Sequence, residues 1–173
     1  MANLRLFVRS FRYVMSLGRP GPDLSWITDL VGVSGTLQPH HIPALTAMRV
    51  SSIIDLREED KDDPELLAKH GIRMLHLPTT DKYSPSQSNL LAGAQWIRNE
   101  VQFKRRTVVH CKEGIGRSIS VLCCALMLDG FSLEAAINLS RNKRWGVALS
   151  KHQLSGLREF VTRLEKHSSS LNK

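Results

Sequence analysis

A cysteine six residues before an arginine, with two glycines between them, is the constellation in this chain best equipped for chemistry. It lies in the run His110-Cys111-Lys112-Glu113-Gly114-Ile115-Gly116-Arg117-Ser118. The strand-like Thr107-Val108-Val109 leads into it, and the apolar, helix-like stretch Ile119 to Leu128 leaves it. An ordinary thiol, with a pKa of about 8.5, is mostly protonated at neutral pH, and only the thiolate is a good nucleophile. Cys111 falls just before a helix start, where unpaired N–H groups and the macrodipole favour negative charge. Arg117 brings a permanent positive charge to the same place. Lowering a thiol pKa by ~3 takes ~4 kcal/mol of preferential thiolate stabilisation. A helix terminus, a guanidinium and several directed N–H groups can supply that together.

The same groups suit a tetrahedral dianion. Successive backbone N–H groups from Lys112, Glu113, Gly114, Ile115 and Gly116 would form a nest for an oxyanion. Gly114 and Gly116 are expected to take dihedrals that a side chain would forbid. Arg117 offers a planar fork for two phosphate oxygens, which lysine lacks. Ser118 can donate a hydrogen bond to the sulfur and help it leave in a second step. His110 precedes the cup and reads as a buried orienting donor rather than a base.

His-Cys-x5-Arg-Ser resembles the active-site loop of cysteine-dependent protein phosphatases, and the glycine three after the cysteine resembles their dual-specificity branch, in particular its small, atypical members. The likeness runs more weakly from about residue 26 to 165, through the strand end Ile53-Ile54-Asp55-Leu56-Arg57. It implies a phosphatase that needs neither metal nor other cofactor. It also implies an aspartic acid on a neighbouring loop, some thirty residues before the cysteine. Asp81 lies thirty residues before Cys111 and is the only carboxylate between Glu65 and Glu100. A departing alkoxide is a poor leaving group unless a proton arrives with it. The resemblance therefore casts Cys111, Arg117, Asp81 and Ser118 as catalytic, with a cysteinyl-phosphate between two displacements.

The elements that must position these residues alternate between strand and helix, which argues for an α/β domain. The resemblance makes it protein-tyrosine-phosphatase-like, a twisted, mostly parallel sheet of about four or five strands flanked by helices. Strands are expected at Leu30 to Val33, Val50 to Leu56, Ile72 to Leu77 (halted by Pro78) and Thr107 to Val109. Helices are expected over 3–16, 41–48, from Pro64 to a stop at Gly71, and over 86–102, 115–128, 133–142 and 151–167. Ser150 with Gln153 makes a capping-box pattern for the last of these. The division is a basic amphipathic helix and turn over 1–22, a catalytic domain over 23–167, and a polar, frayed tail over 168–173.

Composition sets outer bounds. At 173 residues, 42 % hydrophobic and 23 % charged, the chain suits one soluble domain. No apolar run approaches the ~20 residues of a membrane span. Three cysteines, Cys111, Cys123 and Cys124, are too few and too clustered for a disulfide framework, so a reducing, cytoplasmic setting is expected. Cys123 and Cys124 read as buried packing. A bridge from either to Cys111 is the other option.

The net charge of +8 is uneven: residues 1–22 carry four arginines and no acid, and residues 141–173 carry eight bases against two acids. Arg5, Arg9 and Arg12 would share one helix face, opposite Leu4, Phe7, Phe11, Val14 and Met15. That segment reads as a packed helix, a targeting segment or an interfacial anchor on anionic lipid.

The absence of a tyrosine-recognition motif points to a shallow pocket and a phosphoprotein partner, with no obligate nucleic acid. Lys112, with Lys82, Arg141, Lys143 and Arg144 around the entrance, would suit a phosphoinositide, another phospholipid or an RNA 5′ end. Glu113 and Ile115 weaken that option. A phosphate-binding module without turnover is the remaining reading.

Overall fold

A computed structural model of the chain describes residues 21–171, so the helix expected over 3–16 lies outside the described residues. The strands are β1 (Leu24–Trp26), β2 (Val31–Ser34), β3 (Val50–Arg57), β4 (Arg73–Thr79) and β5 (Arg106–His110). They form one sheet in the order β1-β2-β5-β3-β4. All neighbours are parallel except β1, which runs antiparallel to β2. The helices are α1 (Ile42–Ala47), α2 (Pro64–Lys69), α3 (Gln87–Gln102), α4 (Arg117–Leu128), α5 (Leu133–Lys143) and α6 (Lys151–Leu171), with a 3-10 turn at Pro39–His41 before α1. The expected fold class is the one observed.

Alternation along the central strands sorts the core. Val109 and Ile54 are paired neighbours that face α3, α4, α5 and α6, together with Leu90, Ala94, Ile119, Leu122 and Leu157. Val108 and Ile53, one residue earlier on each strand, face the other way, onto Leu45, Leu67 and Ile72. Full burial of each such side chain contributes roughly 1.5–3 kcal/mol. A register slip of one residue would turn both sets inside out, so the two cores fix the pairing.

This registry places the chemistry. β5 comes last in sequence but sits between β2 and β3, where the strand order reverses. Ligands of open α/β sheets bind beyond the carboxyl ends of strands at such a reversal. The loops after β3, β4 and β5 all open on that edge.

Four expectations need correction. β1 was not anticipated: three half-buried residues carry too little pattern. Its Leu24 and Trp26 side chains lie over Gly32, where an added Cβ would meet Leu24 Cδ1 at 2.7 Å. β4 runs through Pro78 to Thr79 instead of stopping there, because an edge strand can spare one N–H. The helix after the cysteine begins at Arg117, not 115, since the preceding backbone is committed to the anion loop. The last helix runs to Leu171, past the expected end at 167, because Ser168 to Ser170 include no glycine or proline breaker.

Candidate active site

β5 is buried along most of its length and delivers Cys111 to the sheet edge with 3 % of its surface exposed. The Gly114 N–H donates to the Cys111 sulfur at 3.2 Å. The Ser118 hydroxyl, in the first turn of α4, lies 3.5 Å from the same sulfur. Lys112 is exposed and Glu113 and Ile115 are half-buried, so the loop presents its backbone inward and these side chains outward.

The two glycines do different work. Gly114 has φ +69°, and a Cβ there would collide with the Ser34 carbonyl and stand 2.6 Å from Arg144 Nη2. Gly116 has φ −130°, so left-handed freedom is not its reason, contrary to expectation. Its reason is space: a Cβ would lie 2.8 Å from both terminal atoms of Gln153.

Arg117 is 1 % exposed. Its Nη1 donates to Glu59 Oε2 at 2.8 Å and to the Thr79 carbonyl at 2.8 Å, and its Nη2 donates to Glu59 Oε1 at 2.7 Å. Burial alone would lower its pKa, but the Glu59 hydrogen bonds and the Cys111 charge outweigh that and hold it above the ordinary value. The guanidinium in turn holds Glu59 down at about 2. Arg117 Nε has no hydrogen-bond partner among the described residues. The fork is thus oriented from one side and retains a donor for an oxyanion.

Asp81 stands on the loop after β4, 54 % exposed, with Oδ1 3.3 Å from Arg117 Nη2. Topology therefore brings Cys111, Arg117, Ser118 and Asp81 to one edge. Arg144 does not join the rim. It is 1 % exposed, and its guanidinium donates to the carbonyls of Gly114 at 2.6 Å and Glu113 at 3.1 Å and to Asp23 Oδ2 at 2.8 Å. It braces the anion loop from beneath, because a planar five-donor group can satisfy several carbonyls at once. Arg141, Lys143 and Lys82 are exposed.

His110 is fully buried, with Nε2 3.0 Å from Asp62 Oδ2 and 3.6 Å from Asp55 Oδ1. Arg57 lies among the same carboxylates and pairs with Asp55 at 2.9 Å and also with Asp62. Burial would raise the Asp55 pKa, but the hydrogen bonds from Arg57 and the charge of His110 hold it below the ordinary value. Asp55, Asp62 and His110 have donor atoms close enough to hold a cation, yet the Arg57 guanidinium already pairs with both carboxylates. The cluster therefore reads as a charge network that ties the loop after β3 to the floor of the cup.

Glu59 is the site residue that sequence reasoning missed. It follows β3 in a run of acids, Glu58-Glu59-Asp60, and only the neighbouring Leu56-Arg57 strand end hints that this loop shares an edge with Cys111. Glu58 is drawn in as well: the Thr80 hydroxyl donates to its Oε2 at 2.7 Å. All three cysteines are free thiols, so the optional bridge does not form. Cys123 is pushed up to about 12 by burial, and Cys124 is raised further by the same cause.

Known proteins resemble this chain in sequence and in fold. The phosphatidylglycerophosphate phosphatase PTPMT1 of Arabidopsis thaliana is 29 % identical over 126 residues, covering 70 % of this chain and 37 % of that protein. Human cyclin-dependent kinase inhibitor 3 is 30 % identical over 129 residues, covering 73 % and 56 %. The chain thus spans between about a third and a little over half of the length of these relatives. Among solved structures, Tk-PTP in its active form superposes with a TM-score of 0.76 at 28 % identity, over 82 % of this chain and 98 % of that one. PTPMT1 does so with 0.78 at 23 % identity, over 85 % and 99 %, a likeness of fold. The family model described as "Polymorphic toxin system, DSP-PTPase phosphatase" matches residues 32–131, from β2 through the anion loop to the end of α4. A buried cysteine under a braced arginine, on a fold shared with these phosphatases, agrees with that match, and the chain belongs to the DSP-PTPase phosphatase family.

Proposed function

We propose that this protein is a cysteine-dependent phosphomonoester hydrolase acting on phosphorylated proteins. The observation that carries the reading is the Cys111 sulfur, held by the Gly114 N–H and set beside Ser118 at the mouth of a helix that starts with Arg117. In the first step the thiolate attacks phosphorus and the bond to the leaving oxygen breaks. Asp81, in its acid form, gives its proton to that oxygen, so an alcohol departs rather than an alkoxide. Backbone N–H groups and Arg117 hold the three equatorial oxygens, where charge is greatest in the transition state. In the second step water attacks the cysteinyl-phosphate and its proton passes to the Asp81 carboxylate. The phosphorus–sulfur bond breaks, Ser118 steadies the departing thiolate, and inorganic phosphate leaves. The enzyme ends in its starting protonation state.

The rim supports a protein substrate over a polyanion. Glu58, Glu59 and Asp60 stand on one side of the cup, and Arg144 is turned beneath it. A lipid phosphate is the second reading, favoured by the relative whose name is phosphatidylglycerophosphate phosphatase and by the exposed Lys112. In either case a cytoplasmic setting is proposed, in keeping with three free thiols.

Side-by-side assays on phosphopeptides, phosphoinositide vesicles and p-nitrophenyl phosphate test the proposal. Cys111→Ser should abolish all turnover. Asp81→Asn should slow alkyl esters by roughly 100-fold or more but nitrophenyl phosphate far less, since general-acid help is worth about 100- to 10,000-fold where the leaving group is poor. Turnover that survives Cys111→Ser would reject the enzyme, and equal losses on both ester types would remove Asp81 from the acid role.

A further inference from the structure

The capping box of α6 faces the acid loop. Gln153 N–H donates to Ser150 Oγ at 3.1 Å, and Ser150 N–H donates to Gln153 Oε1 at 2.9 Å, which is ordinary helix capping. Both side chains have a second partner. Ser150 Oγ donates to the Lys82 carbonyl at 2.6 Å, and Gln153 Nε2 donates to the Tyr83 carbonyl at 3.3 Å. These carbonyls belong to the two residues that follow Asp81.

The contact is built along its whole length. His152 stacks on Tyr83 with ring centroids 4.7 Å apart and planes at 18°. Gln87 Nε2 donates to the Gly156 carbonyl at 2.9 Å. Gly156 is a glycine because a Cβ there would collide with the Ser84 side chain. The loop is bent to meet the helix: Lys82 has φ +64°, a conformation that is uncommon for a residue with a side chain and that needs a compensating hold.

The same segment also touches the nucleophile loop. The Ala148 N–H donates to the Ile115 carbonyl at 3.1 Å, and Gln153 packs where Gly116 lacks a Cβ. Gln153 is 3 % exposed, and both ends of its amide are engaged. It therefore acts through other residues. Two loops that must present a sulfur and a proton donor to one phosphoryl group are thus referred to one helix end.

We propose that Ser150 and Gln153 are positioning residues that set Asp81 over Cys111, using the N-terminus of α6 as a common clamp. This rests on the phosphatase reading for its kinetic consequence but not for its structural one. Displacement of a donor by about 1 Å costs up to ~100-fold when the reacting geometry must be met. The loss falls on the step that needs the proton.

Substitutions at Ser150 separate clamp from cap. Aspartate keeps an acceptor for the helix N–H but cannot donate to Lys82. Alanine loses both, and threonine keeps both. Two readouts are taken: hydrogen exchange of amides 80–84, and kcat/KM on a phosphothreonine peptide against p-nitrophenyl phosphate. Expected for Ser150→Asp and Ser150→Ala are faster exchange in 80–84 and roughly tenfold loss on the peptide with about twofold or less on the nitrophenyl ester. Ser150→Thr should match the parent in both.

Parent-like exchange and peptide turnover in Ser150→Asp would reduce the box to a helix cap and overturn the proposal. Equal losses on both esters would also overturn it. Circular dichroism identifies any variant that fails to fold, and Gln153→Glu, which keeps the acceptor for the Ser150 N–H but cannot donate to the Tyr83 carbonyl, then decides: faster exchange in 80–84 supports the clamp and parent-like exchange overturns it. If the parent itself hydrolyses neither ester, the phosphatase reading falls, and exchange alone judges the clamp.

Discussion

Replacing Glu59 with glutamine should weaken the fold above pH 4.5 and progressively less below it. The hydrogen bonds and charge of Arg117 depress the Glu59 carboxyl from an ordinary 4.5 to about 2. A difference of that size in a fully shielded pair would correspond to about 3 kcal/mol. The Glu59 side chain is 40 % exposed, so solvent screening reduces the expected contribution to about 1 kcal/mol. Because the folded-state value is depressed, the stabilisation is complete above the unfolded value of 4.5 and is lost as pH falls toward 2. Urea unfolding of parent and Glu59→Gln, in steps from pH 7 to pH 3, reads the gap directly. It should be about 1 kcal/mol at pH 7 and shrink once the pH passes below 4.5. The same variant frees the Arg117 fork, so KM for p-nitrophenyl phosphate should rise by roughly tenfold. A gap that stays constant from pH 7 to pH 3, or no gap at pH 7, would show that the pair does not hold the arginine as described.

Two further outcomes follow from the cup. Gly114→Ala should cost about 2–4 kcal/mol and remove activity, because φ +69° and the Ser34 carbonyl both oppose a Cβ there; an unchanged thermal midpoint would contradict this. Under native conditions an alkylating reagent should add once, at Cys111, and phosphate or vanadate should block it. Cys123 and Cys124, fully buried and shifted upward, should react only after unfolding, so two or more adducts on folded protein would count against the burial described.

Much of the fold was readable because its signals are local. Val50 to Arg57 is buried on both faces, with Ile53 and Ile54 side by side and pointing into opposite cores, as a central parallel strand must be. Asp63 and Ser132 sit at helix starts and accept the expected backbone N–H groups, Glu65 and Leu66 for the first and Ala135 for the second. The errors came where local signals are weak or tertiary context overrides them. Pro78 is a breaker in a central strand but not at a sheet edge. Arg144 looked like a rim base in a run of charges, yet its carbonyl partners lie 30 and 31 residues away, and Asp23 lies 121 residues away. Gly116 is constrained by the Gln153 side chain, which fills the space a Cβ would need, and not by a left-handed φ, and no local pattern marks that contact.

The amino-acid sequence by itself determined the nucleophile loop, since Cys111, the glycines, Arg117 and Ser118 are contiguous and one strand–turn–helix unit positions them all. Only the tertiary structure decided what holds that loop and what works beside it. Glu59 reaches Arg117 across 58 residues, and Ser150 reaches Lys82 across 68. The physical reason is that such partners are chosen by which strand ends share an edge. That choice is made by burial of Val108, Val109, Ile53 and Ile54 in two cores, and not by the spacing of the residues that finally meet.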